Sequence, residues 1–282
     1  MTPGCRSVAP SSAAPGAFLL HERVALVTGA LGLLGRQHCD ALAEAGAAVV
    51  VSDLDGHSAE AMATELSRHR RVPALGIALD VTNPDSLRES RDAVVRKFGR
   101  LDVLVNNAGV NDRVEAGEGR WPFEEYPLKE WNRLMAVNAT GTFLACQVFG
   151  SAMAEAGSGS IVNVASTYGL VAPDPSLYRR ADGVPAFFKS PAYPASKGAV
   201  IALTRYLAAH WGEAGVRVNA LCPGGVQNGQ DEEFRQNYSR KTPLGRLACP
   251  SDYRGALVFL SSRASAYMTG ACLVVDGGFT AW

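Results

Sequence analysis

From Arg23 onward, short apolar runs alternate with longer stretches of mixed character. The runs are RVALVTG (23–29), AAVVVSD (47–53), VPALGIALDV (72–81), LDVLVNNAG (101–109), GSIVNVAS (159–166), VRVNALCPGG (216–225) and ACLVVDGG (271–278). They are almost continuously apolar or β-branched, the pattern of strands covered on both faces rather than one. Between them, residues 36–46, 57–70, 84–98, 128–155, 194–213 and 251–261 read as helices, with Gly46 and Gly99 placed to end two of them. Strands separated by helices, without an internal repeat or a linker between two cores, predict one α/β domain. It is expected to be a Rossmann-like doubly wound parallel sheet with helices on both faces.

Composition narrows the functional classes. With 47% hydrophobic residues there is ample material for a large core. Lys+Arg and Asp+Glu balance at 27 each, and no long basic run offers the clustered cations that a nucleic-acid backbone needs. No apolar stretch approaches the roughly 18 residues of a membrane span. The cysteines at 5, 39, 146, 222, 249 and 272 form no CxxC pair, so reduced thiols of a cytoplasmic protein are expected rather than a disulfide frame or a metal site. Residues 1–21 are rich in Pro, Ser, Ala and Gly and are expected to be a flexible extension, leaving 22–282 as the catalytic domain.

The candidate chemistry begins at TGALGLLG (28–35), between the first strand and the first helix. Glycines 29, 32 and 35 allow a tight turn and close approach of the backbone to a pyrophosphate at a helix N-terminus. Asp53, at the end of the second strand, is placed to accept hydrogen bonds from an adenosine ribose and to repel a 2′-phosphate, which favours NAD over NADP. It is alternatively a cap for the next helix. Asp80, followed by Val81, is placed either to meet the adenine amino group or to cap the helix near 84.

Tyr193 and Lys197 are spaced i, i+4, so on a helix they share a face, and Pro194 suits that helix's first turn. A tyrosine with a pKa of about 10 needs help to act as an acid–base at neutral pH. A neighbouring ammonium supplies it by favouring the phenolate. Ser166 ends the fifth strand, at the sheet edge where open α/β folds bind ligands, and is placed to hold a substrate oxygen.

TGALGLLG, NNAG (106–109), VNATG (137–141), GSIVNVAS, YPASK (193–197), VNALCPGG (218–225) and MTGACLVVDGG (268–278) stand in the order of the short-chain dehydrogenase/reductase family, which the chain resembles over about 22–282. The resemblance implies hydride transfer between a secondary alcohol or ketone and a nicotinamide dinucleotide, by homodimers or homotetramers. It implies Tyr193 as the acid–base, Lys197 as its pKa-lowering partner on the nicotinamide ribose, Ser166 as the group orienting substrate, and Asn138 as anchor of a water linking Lys197 to solvent. On the cofactor it implies Gly29, Leu33, Leu34, Gly35, Asp53, Asp80, Val81, Asn107, Ala108 and Gly109. The backbone of Pro223, Gly224 and Val226 would meet the carboxamide. The spacing TGxxGxxG is that of the family's extended branch, whereas the VVDGG ending is classical.

Ser166 and Tyr193 lie farther apart than in most members of that family, and the added residues, about 170–191, must pass near the substrate. They bring Asp174, Tyr178, Arg179, Arg180, Asp182 and Lys189. Arg179 or Arg180 would suit an anionic, sugar-like or hydroxy-acid substrate, or would pair with Asp174 and Asp182. Residues 225–247 are expected to form a mobile lid. This insertion, NYSRKTPLGR and the GGFTAW terminus resemble a bacterial flagellin-modification and nonulosonic-acid sugar branch. The same motifs also fit two other functions: a sugar epimerase or dehydratase using bound NAD transiently, and a non-catalytic NAD sensor.

Overall fold

The computed structural model describes residues 14–111, 121–179 and 187–282. Seven strands form one sheet in the order β3-β2-β1-β4-β5-β6-β7, every neighbouring pair parallel. They are β1 (Val24–Thr28), β2 (Ala48–Asp53), β3 (Ala74–Ala78), β4 (Val103–Asn106), β5 (Gly159–Val164), β6 (Val216–Pro223) and β7 (Cys272–Val275). The order reverses between β1, which leads outward to β2 and β3, and β4, which leads the other way. Such a switch point opens a crevice at the carboxyl ends of the strands.

Within an all-apolar strand the side chains still alternate between faces. Ala25 and Val27 pack with Cys39, Leu42, Ala59, Leu66, Leu257 and Leu260. These belong to α1 (Leu33–Glu44), α2 (Gly56–Arg70) and the helix Arg254–Ser261. Val24 and Leu26 face the other layer, with Leu87, Val94, Phe149, Met153, Leu207 and Trp211. Those come from α3 (Pro84–Phe98), a long helical stretch over 128–155 and the helix Ala192–Trp211. Burial on both sides is therefore what made the strands readable as uninterrupted runs.

Helix starts are fixed by short polar side chains. Asp55 caps α2 by accepting from Ser58 N at 3.0 Å, and Asn83 caps α3 by accepting from Asp85 N at 2.9 Å. The capping alternatives for Asp53 and Asp80 are thereby removed. α1 has Gly32 as its N-cap and no side-chain cap, so its first N–H groups are left without a side-chain acceptor there. At the opposite edge Arg217 donates to Ser160 Oγ, Leu260 O, Ser262 O, Ser265 Oγ and Met268 O, joining β5, β6 and the Arg254–Ser261 helix.

Three segments differ from the sequence expectation. Of the flexible extension expected over 1–21, residues 1–13 lie outside the described residues, and the rest is anchored: Ala14–Phe18 is a 3-10 turn, Leu20 is buried in the core, and the Phe18 and Phe259 rings lie 6.3 Å apart. The 128–155 helix contains two wide π turns, Ala136–Thr140 and Cys146–Gly150. The lid segment contains a regular helix, Glu232–Lys241, with acids in its first turn and bases in its last. No helix among the described residues is long and apolar enough to cross a membrane.

Candidate active site

Four elements converge on the carboxyl edge. The glycine loop supplies a bare backbone surface. Gly29 has φ +61°, and a Cβ there would come 2.7 Å from Ala108 Cα; one on Gly35 would come 2.3 Å from Gly29 O. Thr28 Oγ1 accepts from the backbone N–H groups of Asn107 (3.1 Å) and Ala108 (3.0 Å), while Asn107 Nδ2 donates to the carbonyls of Thr28 and Gly29. The NNAG segment is thus bolted to the end of β1. Asp53 Oδ2 accepts from Leu31 N at 2.9 Å, placing a carboxylate against the glycine loop at the end of β2. Asp80 folds back on Thr82, its Oδ1 accepting from that residue's N–H and hydroxyl, and Val81 beside it is buried. Leu33 and Leu34 open α1, Leu33 exposed and Leu34 against the core.

These features fit a dinucleotide: a glycine surface too tight for side chains, an uncapped helix start for a pyrophosphate, and an acid at the ribose position. Gly109 extends the same surface. A methyl there would lie 3.3 Å from Asn138 Oδ1 and 3.5 Å from Lys197 Nζ, so backbone without a side chain faces the lysine.

Asn138 sits in the first π turn of the long helix and is fully buried. Wide turns of this kind re-aim side chains and recur at functional positions. Its Oδ1 accepts from Val110 N at 2.8 Å, and its Nδ2 donates to Val110 O and to Ser196 Oγ at 2.9 and 3.0 Å. It therefore clamps the segment after β4 to the Ala192–Trp211 helix.

Lys197 is buried, and its Nζ donates to Val164 O at 2.8 Å, two residues before Ser166. Burial pushes its pKa down to about 8, with Cys222 nearby acting the other way. Its Nζ lies 5.9 Å from the centre of the Tyr193 ring, one helical turn away. Ser166 is buried at the end of β5, where its Oγ accepts from Tyr168 N at 3.1 Å and so caps a short turn. Pro223 ends β6; Gly224 N donates to Val275 O, and Gly225 N donates to Tyr238 OH at 2.6 Å, fixing the backbone that leads to Val226. Among the described residues no His, Cys, Asp and Glu cluster could hold a metal.

The insertion is built otherwise than its charges suggested. Asp174 pairs with Lys241, not with an arginine, and this partner holds its carboxyl down at about 2. Arg179 is exposed, and its carbonyl accepts from Asn237 at 3.4 Å. Arg180, Asp182 and Pro185 lie outside the described residues. Tyr178 hydrogen-bonds to Tyr168 through the two hydroxyls (3.0 Å), and its ring centre lies 5.5 Å from both Phe187 and Phe234. Residues not singled out from sequence also matter. They are Thr28, Ser196 and Tyr168. Lys189, one of the insertion's charges, has its Nζ 4.6 Å from the Tyr193 ring centre. Lys189 had a readable signal, since it precedes Tyr193 by the same four positions by which Lys197 follows it.

Residues 29–280 match the family described as Enoyl-(Acyl carrier protein) reductase. The chain is 40% identical over 268 residues to D-threitol dehydrogenase of Mycolicibacterium smegmatis, covering 93% of this chain and 95% of that protein. It is 35% identical to galactitol 2-dehydrogenase (L-tagatose-forming) of Cereibacter sphaeroides, over 94% and 98% of the two chains. In structure it is similar to a gluconate 5-dehydrogenase from Burkholderia cenocepacia crystallised with NADP and tartrate. That likeness has a TM-score of 0.84 at 32% identity and covers 96% of this chain and all of the other. With the parallel sheet, the glycine loop and the relatives in agreement, the chain belongs to the short-chain dehydrogenase/reductase family, as an oxidoreductase acting between alcohol and ketone with a nicotinamide cofactor.

Proposed function

We propose that this enzyme is an NAD(H)-dependent dehydrogenase that interconverts a secondary hydroxyl of a polyol or sugar acid and the corresponding ketone. The observation that carries it is the buried Lys197 one helical turn from Tyr193, its Nζ donating to Val164 O two residues before Ser166. When bound, the dinucleotide accepts or supplies the hydride. The chain's own residues handle the proton. Tyr193 takes it from the substrate hydroxyl, or returns it, while the Lys197 ammonium favours the phenolate. Ser166 holds the substrate oxygen. Asn138 keeps the Val110 backbone and the catalytic helix in register and anchors the water through which Lys197 reaches solvent. Gly29, Leu33, Leu34, Gly35, Asn107, Ala108, Gly109 and the backbone at Pro223, Gly224 and Val226 line the dinucleotide, Asp80 and Val81 its adenine.

Asp53 supports NAD over NADP, since a carboxylate held at the ribose position repels a 2′-phosphate. Substrate class is supported by the relatives that act on threitol and galactitol and by the tartrate-bound neighbour. Exposed Leu128, Phe143 and Tyr206 on the two helices of one layer support a homodimer or homotetramer, and the free cysteines of the described residues suit a cytoplasmic enzyme. The test is a panel of polyols and sugar acids with NAD or NADP, following NADH absorbance in wild type and Tyr193→Phe. Expected is turnover with NAD and a loss of at least about a hundredfold in the variant. Full activity of Tyr193→Phe would reject this chemistry, and product formation without net NADH would favour the epimerase reading.

A further inference from the structure

The family pattern accounts for one lysine at the catalytic tyrosine, but two are present. Lys197 approaches from within the helix, buried. Lys189 approaches from the segment before it, at the end of the insertion, half-buried and closer: its Nζ is 4.6 Å from the ring centre against 5.9 Å for Lys197. The same ammonium donates to Asn111 Oδ1, just beyond the Val110 that Asn138 clamps, and lies 6.0 Å from the Phe187 ring. The insertion is thereby tied to the loop after β4 by an ammonium that lies over the tyrosine ring.

We propose that Lys189 is a second positioning cation for Tyr193, supplied by the insertion, which favours its phenolate and orients its ring toward substrate. This rests on the reading of Tyr193 as the proton carrier. A cation within about 6 Å of a phenol ring is attracted to its face, and more strongly once the ring carries negative charge. The other groups around the ring do not replace it. Among the described residues, Lys197 is the other cation within 6 Å of the ring centre, and it comes from the helix that carries Tyr193. Tyr168, from the turn after β5, is neutral, because burial pushes its hydroxyl pKa up. Asp174, behind Tyr168, is engaged by Lys241, and Ser166 and Asn111 carry no charge. Burial also lowers the Lys197 pKa to about 8, so half of its charge is gone at that pH. Lys189 therefore matters most where Lys197 is losing its proton.

Tyrosinate absorbance of the purified protein, titrated from neutral to alkaline pH with Tyr193→Phe subtracted, reads the ionisation of Tyr193 without substrate. Lys189→Met and Lys189→Gln are expected to move that midpoint upward by about one pH unit, as a unit charge near 5 Å in a partly solvated setting would. Lys189→Arg should restore it. In the coupled assay the same two variants should lose about tenfold in kcat at neutral pH, with the rate limb displaced alkaline and NAD affinity unchanged. Thermal unfolding of each variant separates a folding defect from this effect, and Lys189→Arg guards against one. An unshifted tyrosinate midpoint in folded Lys189→Met overturns the proposal. A Tyr193→Phe enzyme of full activity overturns the proton-carrier reading instead, so the two failures are distinct.

Discussion

His38 offers a quantitative check on the packing beneath the glycine loop. It lies on α1, fully buried, and neither ring nitrogen makes a hydrogen bond to the described residues, although Asn107 is close by. Burial pushes its pKa down from 6.5 to about 4, with Asn107 acting weakly the other way. In the unfolded chain the ring titrates near 6.5. Between pH 6.5 and 4 the unfolded state therefore binds a proton that the folded state does not, and stability falls as pH falls through that window. Above 6.5 the full stability is present; below about 4 the loss is complete. At about 1.4 kcal/mol per pH unit, the gap amounts to roughly 3 kcal/mol. Asp40, Asp102 and Asp174, whose partners hold their pKa values below 3.8, lose their contributions at lower pH and leave this window to the histidine.

His38→Leu replaces the ring by an apolar group of similar size and removes two unsatisfied nitrogens. It should be as stable as wild type at pH 7 or more so. Urea unfolding followed by far-UV circular dichroism at steps from pH 7 to 4 is the assay. Wild type should lose roughly 3 kcal/mol over that range and His38→Leu should remain close to flat. Parallel curves for the two proteins would show that the ring is solvated or paired, and the reasoning would fail.

Two further outcomes test the dinucleotide site. Asp53→Asn removes the charge at the ribose position while retaining an acceptor for Leu31 N, so the NAD to NADP ratio of kcat/KM should fall by about tenfold or more. A wild-type preference for NADP would contradict the role given to Asp53. Gly29→Ala places a methyl 2.7 Å from Ala108 Cα at a φ of +61°, so it should cost about 2 kcal/mol or more and weaken dinucleotide binding severely. Binding within twofold of wild type, by calorimetry, would mean the loop is less confined than its geometry says.

The seven strands and their parallel sense were legible because burial on both faces erases the usual alternation and leaves continuous apolar runs. Tyr193 and Lys197 were legible for a different reason: their relation is local, set by one turn of helix. What stayed hidden depended on distant or cryptic partners. Whether Asp53 or Asp55 caps α2 turns on which carboxylate reaches Ser58 N, and each acid is equally plausible as a string of letters. The π turn carrying Asn138 leaves the hydropathy pattern almost untouched, since one wide turn shifts the helix face only slightly. The Glu232–Lys241 helix escaped notice because its core contribution is limited to Phe234 and Tyr238 amid charged residues. Asp174 and Lys241 are 67 positions apart, and nothing local pairs them.

That pairing alters what the insertion does. Asp174 grips Lys241 at one end of the Glu232–Lys241 helix, whose Lys241 carbonyl also accepts from Trp282 Nε1 at 3.2 Å. Tyr178 stands between Tyr168 on one side and Phe187 and Phe234 on the other. Tyr238, next along the helix, stacks on Phe279 at 4.7 Å and holds Gly225 N with its hydroxyl. Insertion, helix and carboxyl terminus thus share one aromatic layer above the strand ends, in contact with the backbone after β6. Residues joined in this way respond together, so the effects of substitutions within the layer should be non-additive. The glycine loop, Asp53 and the NNAG segment are anchored separately, to β1 and β2. The glycine-loop side and the insertion side of the strand ends therefore rest on different sets of contacts, and the insertion meets Tyr193 through Lys189, whose ammonium lies over its ring.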